Sequence, residues 1–123
     1  MTEVILDTSF ILTAVKAKID FLNEMKFMGL TPILPIQVID ELKKITSSKK
    51  KAKFKDDAEL ALKILNQNKP KEIDIKNAYV DQGIIEYAKN NKEAIIATMD
   101  KELKSKLKNR KLVVRAMQKL EVL

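Results

Sequence analysis

Two rhythms of apolar and polar positions run along the chain. Val4-Ile5-Leu6, Thr31 to Leu34, Ala94-Ile95-Ile96-Ala97 and Leu112-Val113-Val114 are apolar runs too short for a helix and suited to buried strands. Glu72 to Ile75 alternates polar with apolar, as a short edge strand does. Helical spacing fills the gaps between these runs. Phe10, Ile11, Ala14 and Val15, then Phe21, Leu22 and Met25, recur at that spacing until Gly29 stops them. Pro35 opens a helix whose apolar face is Ile36, Ile39, Leu42 and Ile45. Thr46 to Lys55 is polar and strongly basic and reads as a loop or frayed helix end. Asp56-Asp57 suits the positive end of the next helix, which Ala58, Leu60, Ala61, Ile64 and Leu65 carry on until Lys69-Pro70. Val80 to Lys89 and Asp100 to Lys108 are predicted helices, while Ala116 to Leu123 carry no clear period. Strands alternating with helices predict an α/β chain: a three-layer sandwich around a central parallel sheet of about five strands. A length of 123 residues predicts a single domain over 1–123.

That architecture decides which acids matter, because open parallel sheets bind ligands beyond the carboxyl ends of their strands. Asp7 directly follows the first strand, and Asp100 follows Ala94 to Thr98 in the same way. Asp81 opens a helix, with Val80 just before it. Helix capping explains each of these three on its own, and Thr8 or Ser9 offers an alternative cap to Asp7. Capping does not explain Glu41, which lies inside a helix between Ile39 and Leu42; solvation on a helix surface does. Asp40 points about 100° away from it, so one of the two faces any site. Four acids brought together repel one another strongly without cations. A divalent ion resolves the repulsion, and can hold and activate water at a phosphoryl group.

Composition narrows the chemistry. The chain has no histidine and no cysteine, which removes Ser-His-Asp and Cys-His nucleophiles, disulfides, and imidazole or thiolate metal sites. A metal site would be all oxygen, the preference of hard ions such as Mg²⁺ and Mn²⁺. Apolar residues make up 46%, enough for a core, but no run approaches the ~20 that a membrane helix needs. The opening MTEVILDTSF places an acid where a signal peptide is positive. The expectation is a cytoplasmic protein without a membrane partner.

Net charge is +7, which favours a polyanionic partner such as a nucleic acid. Arg110 and Arg115 are the only arginines, so phosphate contact by mobile lysines is expected over bidentate base reading. Lys43, Lys44, Lys49, Lys50, Lys51, Lys53 and Lys55 cluster just after Glu41. Of these, Lys49, Lys50, Lys51 and Lys53 are the candidates for RNA contact, with Phe54 the one aromatic nearby. A soluble, mobile loop explains the same lysines.

In four places the residues resemble the PIN-domain nucleases. Val4-Ile5-Leu6-Asp7-Thr8-Ser9-Phe10-Ile11-Leu12 is similar to the opening strand and its first acid. Pro35-Ile36-Gln37-Val38-Ile39-Asp40-Glu41-Leu42 is similar to the second motif. Val80-Asp81-Gln82-Gly83-Ile84-Ile85-Glu86-Tyr87-Ala88 is similar to the third, and Ala97-Thr98-Met99-Asp100-Lys101-Glu102-Leu103-Lys104 to the fourth. The pattern departs from many relatives at Met99, where Asn is common, and at Gln82, where a second acid is common. The resemblance implies a metal-dependent endoribonuclease in which metal-activated water cleaves RNA phosphodiester bonds. Asp7, Glu41, Asp81 and Asp100 would hold Mg²⁺ or Mn²⁺, with Ser9 and Thr98 orienting acids or water. It also implies that two copies pair as a homodimer. Residues 101–108 resemble the branch related to ribosomal RNA processing, whose partners are ribosome-assembly proteins. The toxin branch, whose partner is an antitoxin, shares the same acids. A non-catalytic RNA-binding scaffold of the same fold is the rival. A phosphoryl-transfer reading with Asp7 as nucleophile is weaker, because the haloacid-dehalogenase-like pattern needs a second acid two residues on and Ser9 stands there.

Overall fold

The computed structural model describes residues 2–116 and 118–123. Strand β1 (Thr2–Leu6) is central, with β2 (Leu30–Pro35) on one side and β4 (Ile95–Ala97) on the other. Beyond them lie β3 (Lys71–Ile73), then β5 (Lys111–Arg115) and β6 (Lys119–Val122), in the order β3-β2-β1-β4-β5-β6. All neighbours are parallel except β5 and β6, whose antiparallel register pairs Leu112 with Val122 and Arg115 with Lys119. The sheet is therefore mixed and has six strands, where the sequence reading expects about five in parallel. Lys119-Leu120-Glu121-Val122 supplies the extra strand from a tail too short to show a convincing period; Met117, in the same tail, lies outside the described residues.

Val4, Ile5, Leu6, Ile95, Ile96 and Ala97 are all buried. Such strands are covered on both faces, which is why they read as continuous apolar runs rather than alternations. The covering helices are α1 (Thr8–Lys16), α2 (Phe21–Phe27), α3 (Ile36–Thr46), α4 (Ala52–Asn68), α5 (Val80–Asn90) and α6 (Lys101–Ser105). Helices α1, α3 and α4 pack on one another. Gly29 stands at φ +74°, a left-handed conformation that ends the α2 segment cheaply only for glycine. Among the described residues no helix is long and apolar enough to cross a membrane.

Three boundaries differ from those expected. Helix α4 begins at Ala52 rather than Asp56, because Phe54 lies one turn before Ala58 and extends the face of Ala58, Ala61 and Leu65. Strand β3 ends at Ile73, and Ile75 instead gives its backbone N–H to Gln37 Oε1 at 3.3 Å. Helix α6 stops at Ser105, and its chain turns back through the backbone bond Leu107 N–H to Lys104 O, 3.2 Å. Buried Asn109 then ties this return to α5 and β4: its side-chain amide donates to the carbonyls of Ala88, Asn91 and Ala94.

Candidate functional site

The order of strands reverses between β1 and β4, since the chain winds outward from this pair in both directions. A crevice at the carboxyl ends of such a pair is where open sheets hold ligands. Asp7 sits at the end of β1, and its N–H donates to the Ala97 carbonyl of β4 at 2.9 Å. Asp7 occupies the cap position of α1 but makes no side-chain cap bond, so capping does not account for its carboxylate. Instead Asp7 Oδ2 accepts from both Ser9 Oγ and Thr98 Oγ1, each at 2.7 Å. A hydroxyl has one proton to give. Both are committed to Asp7, so the 3.2 Å approach of Ser9 Oγ to Thr98 Oγ1 is a contact between two acceptors. Those oxygens in turn take the backbone N–H groups of Met99 (3.0 Å) and Asp100 (3.1 Å).

Asp100 does cap its helix: Oδ1 accepts from the backbone N–H of Glu102 at 2.9 Å and of Leu103 at 3.1 Å. Glu41 projects from α3 and accepts from Thr8 Oγ1. Asp81 lies in the first turn of α5, where an acid suits the helix dipole. Asp7, Glu41, Asp81 and Asp100 line one groove of about 490 Å³, together with Ser9 and Phe54. Asp40 is exposed and lines the adjoining groove instead.

The hydrogen bonds use the carboxylates economically. Among the described residues, Asp7 spends Oδ2, Glu41 spends Oε1 and Asp100 spends Oδ1, leaving the second oxygen of each without a hydrogen bond; Asp81 spends neither. Asp81 registers the crowding. Partial desolvation in the groove pushes its carboxyl above the ordinary range, although much of the residue meets solvent. The negative charges of Asp7, Asp100, Glu41 and Glu102 push it further the same way. The free oxygens make an all-oxygen donor set of the kind that hard divalent ions take. Among the described residues no three acidic side chains stand close enough together to hold an ion as they are. That spacing fits carboxylates that repel one another and are steadied separately by hydroxyls and backbone N–H groups.

The structure thus brings all four predicted acids to one groove and sets Ser9 and Thr98 on Asp7. Thr8, the partner of Glu41, and Glu102, the fifth nearby charge, are not singled out by the sequence reading. Their roles depend on pairings across 33 residues and across two helix starts. Of the four candidate lysines, Lys53 is tied to Asp57 by an ion pair of 3.1 Å, and Lys50 Nζ lies 5.3 Å from the centre of the Phe54 ring. Lys49 and Lys51 are exposed. Met99 Sδ accepts the Val114 backbone N–H at 3.4 Å, so this departure from the family pattern is engaged with β5. Gln82 is exposed beside Asp81.

Comparison with known proteins agrees with this fold. A relative from Methanocaldococcus jannaschii, ribonuclease VapC4, is 37% identical over 113 residues, covering 87% of this chain and 83% of the relative. The solved structure of the PIN domain endonuclease Utp24 superposes with a TM-score of 0.79 at 24% identity, covering 98% of this chain and 90% of that one. VapBC2 from Rickettsia felis, solved with a DNA fragment from its promoter, gives 0.54 at 16% identity over 89% of this chain and 98% of that one. The family described as PIN like domain matches residues 4–119. The chain belongs to the PIN-domain family.

Proposed function

We propose that the chain is an endoribonuclease that hydrolyses RNA phosphodiester bonds with Mg²⁺ or Mn²⁺ held by Asp7, Glu41, Asp81 and Asp100. One observation carries the reading: all four carboxylates line a single groove at the switch point of the sheet, and each keeps at least one oxygen without a hydrogen bond among the described residues. The name of the 37% identical relative supports RNA as the substrate, and so does the chain's net charge of +7. Held by these four acids, a divalent ion would supply positive charge against the carboxylates and the phosphate and would acidify a water for attack. The chain's own part is to orient. Ser9 and Thr98 hold Asp7 by one oxygen and leave the other without a hydrogen bond, Thr8 does the same for Glu41, and the start of α6 does so for Asp100.

The test uses the wild-type chain and Asp7→Asn on a broad RNA panel with Mg²⁺ or Mn²⁺. Wild type cleaves, circular RNA included, while Asp7→Asn binds RNA without cutting it. No cleavage of any RNA with either ion would leave an RNA-binding scaffold of this fold. Residues 101–108, by their resemblance, favour ribosomal RNA processing. The toxin branch of the resemblance gives a second reading of the same chemistry, a toxin-type ribonuclease held by an antitoxin. Growth arrest on expression, absent for Asp7→Asn, separates the second from the first.

A further inference from the structure

The six aromatic side chains divide sharply. Phe10 and Phe21 are buried and meet edge to face, 6.1 Å between ring centres. Tyr87 is half-buried and donates its hydroxyl to Glu3 Oε1 at 3.2 Å. Phe27 is 93% exposed, but it stands at the end of α2 just ahead of β2, at the edge of the sheet opposite the carboxylates. Phe54 and Tyr79 remain, and both lie at the carboxylate edge. Phe54 is 37% exposed and lines the groove of the four acids. Tyr79 is 79% exposed and lines the adjoining groove of about 480 Å³. Glu41 and Asp81 line both grooves, so these two carboxylates stand between the two rings.

Each ring comes with a cation and a fixed backbone. Lys50 Nζ is poised over Phe54, and Lys44 lines the groove of Tyr79. Phe54 sits in the first turn of α4, where its N–H donates to the Lys51 carbonyl at 3.0 Å. Tyr79 precedes α5; its N–H donates to Asn77 Oδ1 at 2.9 Å and its carbonyl accepts the Gly83 N–H at 3.0 Å. An aromatic ring paired with an ammonium matches the two halves of a nucleotide: the ring takes the base face and the lysine takes the phosphate. Leaving a large ring in water forgoes the stabilisation its burial would bring.

We propose that Phe54 and Tyr79 are base-stacking positioning residues, one on each side of the carboxylates, which together set the register of an RNA strand over the groove. The inference rests on the ribonuclease reading and adds the residues that place the strand. Bases stacked on both rings are unpaired, because base faces inside a duplex are already occupied.

The experiment places 2-aminopurine at successive positions of a single-stranded RNA that wild type cleaves. Binding is followed with Asp7→Asn, and in parallel with wild type in chelator. Quenching is expected at two positions flanking the cleavage site. Phe54→Leu abolishes one quench and Tyr79→Leu the other, whereas Phe54→Tyr and Tyr79→Phe keep both. For cleavage, each leucine variant raises KM roughly tenfold, and the lost register spreads the cut over neighbouring phosphates. Leucine variants that bind, quench and cut at one phosphate as wild type does would overturn the proposal, and would point to a protein partner for these rings. If wild type cleaves no RNA, the same scan is run on a single-stranded RNA that it binds; two quenches there, each lost with its own leucine variant, leave the stacking standing while the cleavage reading falls. Cleavage without either quench leaves the cleavage reading intact and removes the stacking.

Discussion

Thr98 Oγ1 donates to Asp7 Oδ2 across 2.7 Å, joining the residue that follows β4 to the residue that follows β1. The bond spans the point where the strand order reverses, and Thr98 is fully buried. It makes the carboxylate of Asp7 a fixture of the sheet rather than a mobile side chain. The same oxygen of Thr98 accepts the Asp100 N–H, so one hydroxyl positions two of the four acids.

Thr98→Val keeps the shape of the side chain and removes both bonds. Groups that orient metal-binding carboxylates typically matter by 10–100-fold, so cleavage should fall by about that factor. Ser9→Ala should fall less, because Thr98 still holds Asp7. The double variant should lose more than the product of the two, since neither hydroxyl is then left to cover for the other on the one carboxylate oxygen. Loss of a buried partner also costs folding on the order of 1–3 kcal/mol, which a thermal melt reads separately. Full activity in Thr98→Val would show that the hydroxyl serves the fold alone.

Asp81 tests the repulsion in the groove. Its carboxyl is raised by desolvation and by the negative charges of Asp7, Asp100, Glu41 and Glu102. An acid whose folded pKa is raised destabilises the folded state at pH above that pKa, and the penalty disappears as pH falls toward the ordinary carboxylate range. Asp81→Asn should therefore melt higher than wild type without metal at neutral pH, and the difference should vanish in acid. Much of Asp81 meets solvent, so the gain is at most about 0.5 kcal/mol, a few degrees in Tm. Mn²⁺ should raise the Tm of wild type more than that of Asp81→Asn. Equal metal response in the two would remove Asp81 from the ion's donors.

How far the sequence discloses this site depends on what each residue's signal rests on. Asp7 and Asp100 are legible because each ends an apolar run that can only be a covered strand, and the topology then assigns the edge. Glu41 is legible by its place in a motif and by the failure of capping to explain it. Asp81 offers the weaker signal of an acid at a helix start, and it takes the structure to show that its side chain caps nothing. Thr8 looks like a helix-start hydroxyl, and only the packing of α3 beside α1 turns it toward Glu41. Four lysines between 49 and 53 hide the beginning of α4, because periodicity over so few apolar positions is easily outvoted by charge. Phe54 is thereby assigned to a loop, and its place in the groove emerges only once the first turn of α4 is seen.

The lysines differ in what they are free to do. Lys53 is engaged with Asp57, whereas Lys49, Lys50 and Lys51 occupy the α3–α4 connection and its end. Neutralising those three to Gln should weaken RNA binding and reduce the slope of log K against log salt by roughly 2, at about 0.7 per phosphate contact on a single strand. Lys53→Gln should change that slope less, because its charge is already shared with Asp57. Affinities measured from low to high salt decide this; an unchanged slope in the triple variant would mean that the connection is solvated and does not touch RNA.

Gly83 links packing to the site by another route. A Cβ added there would stand 2.6 Å from Ile75 Cδ1, 2.9 Å from Ile75 Cγ1 and 3.2 Å from Asn77 Cβ. Ile75 is buried, so it has little room to yield, and Asn77 is the residue whose Oδ1 holds the Tyr79 N–H. The added methyl should push the start of α5 away from the 75–77 segment, carrying Tyr79 and Asp81 with it. Ala is the better helix former, but overpacking of this kind costs about 1–3 kcal/mol, so Gly83→Ala should be net destabilising despite its propensity. Because Asp81 lies two residues away, cleavage by the folded variant should fall as well, measured well below its Tm. Gly83→Ala at wild-type Tm and activity would mean that Ile75 moves aside freely and that α5 is not seated by this contact.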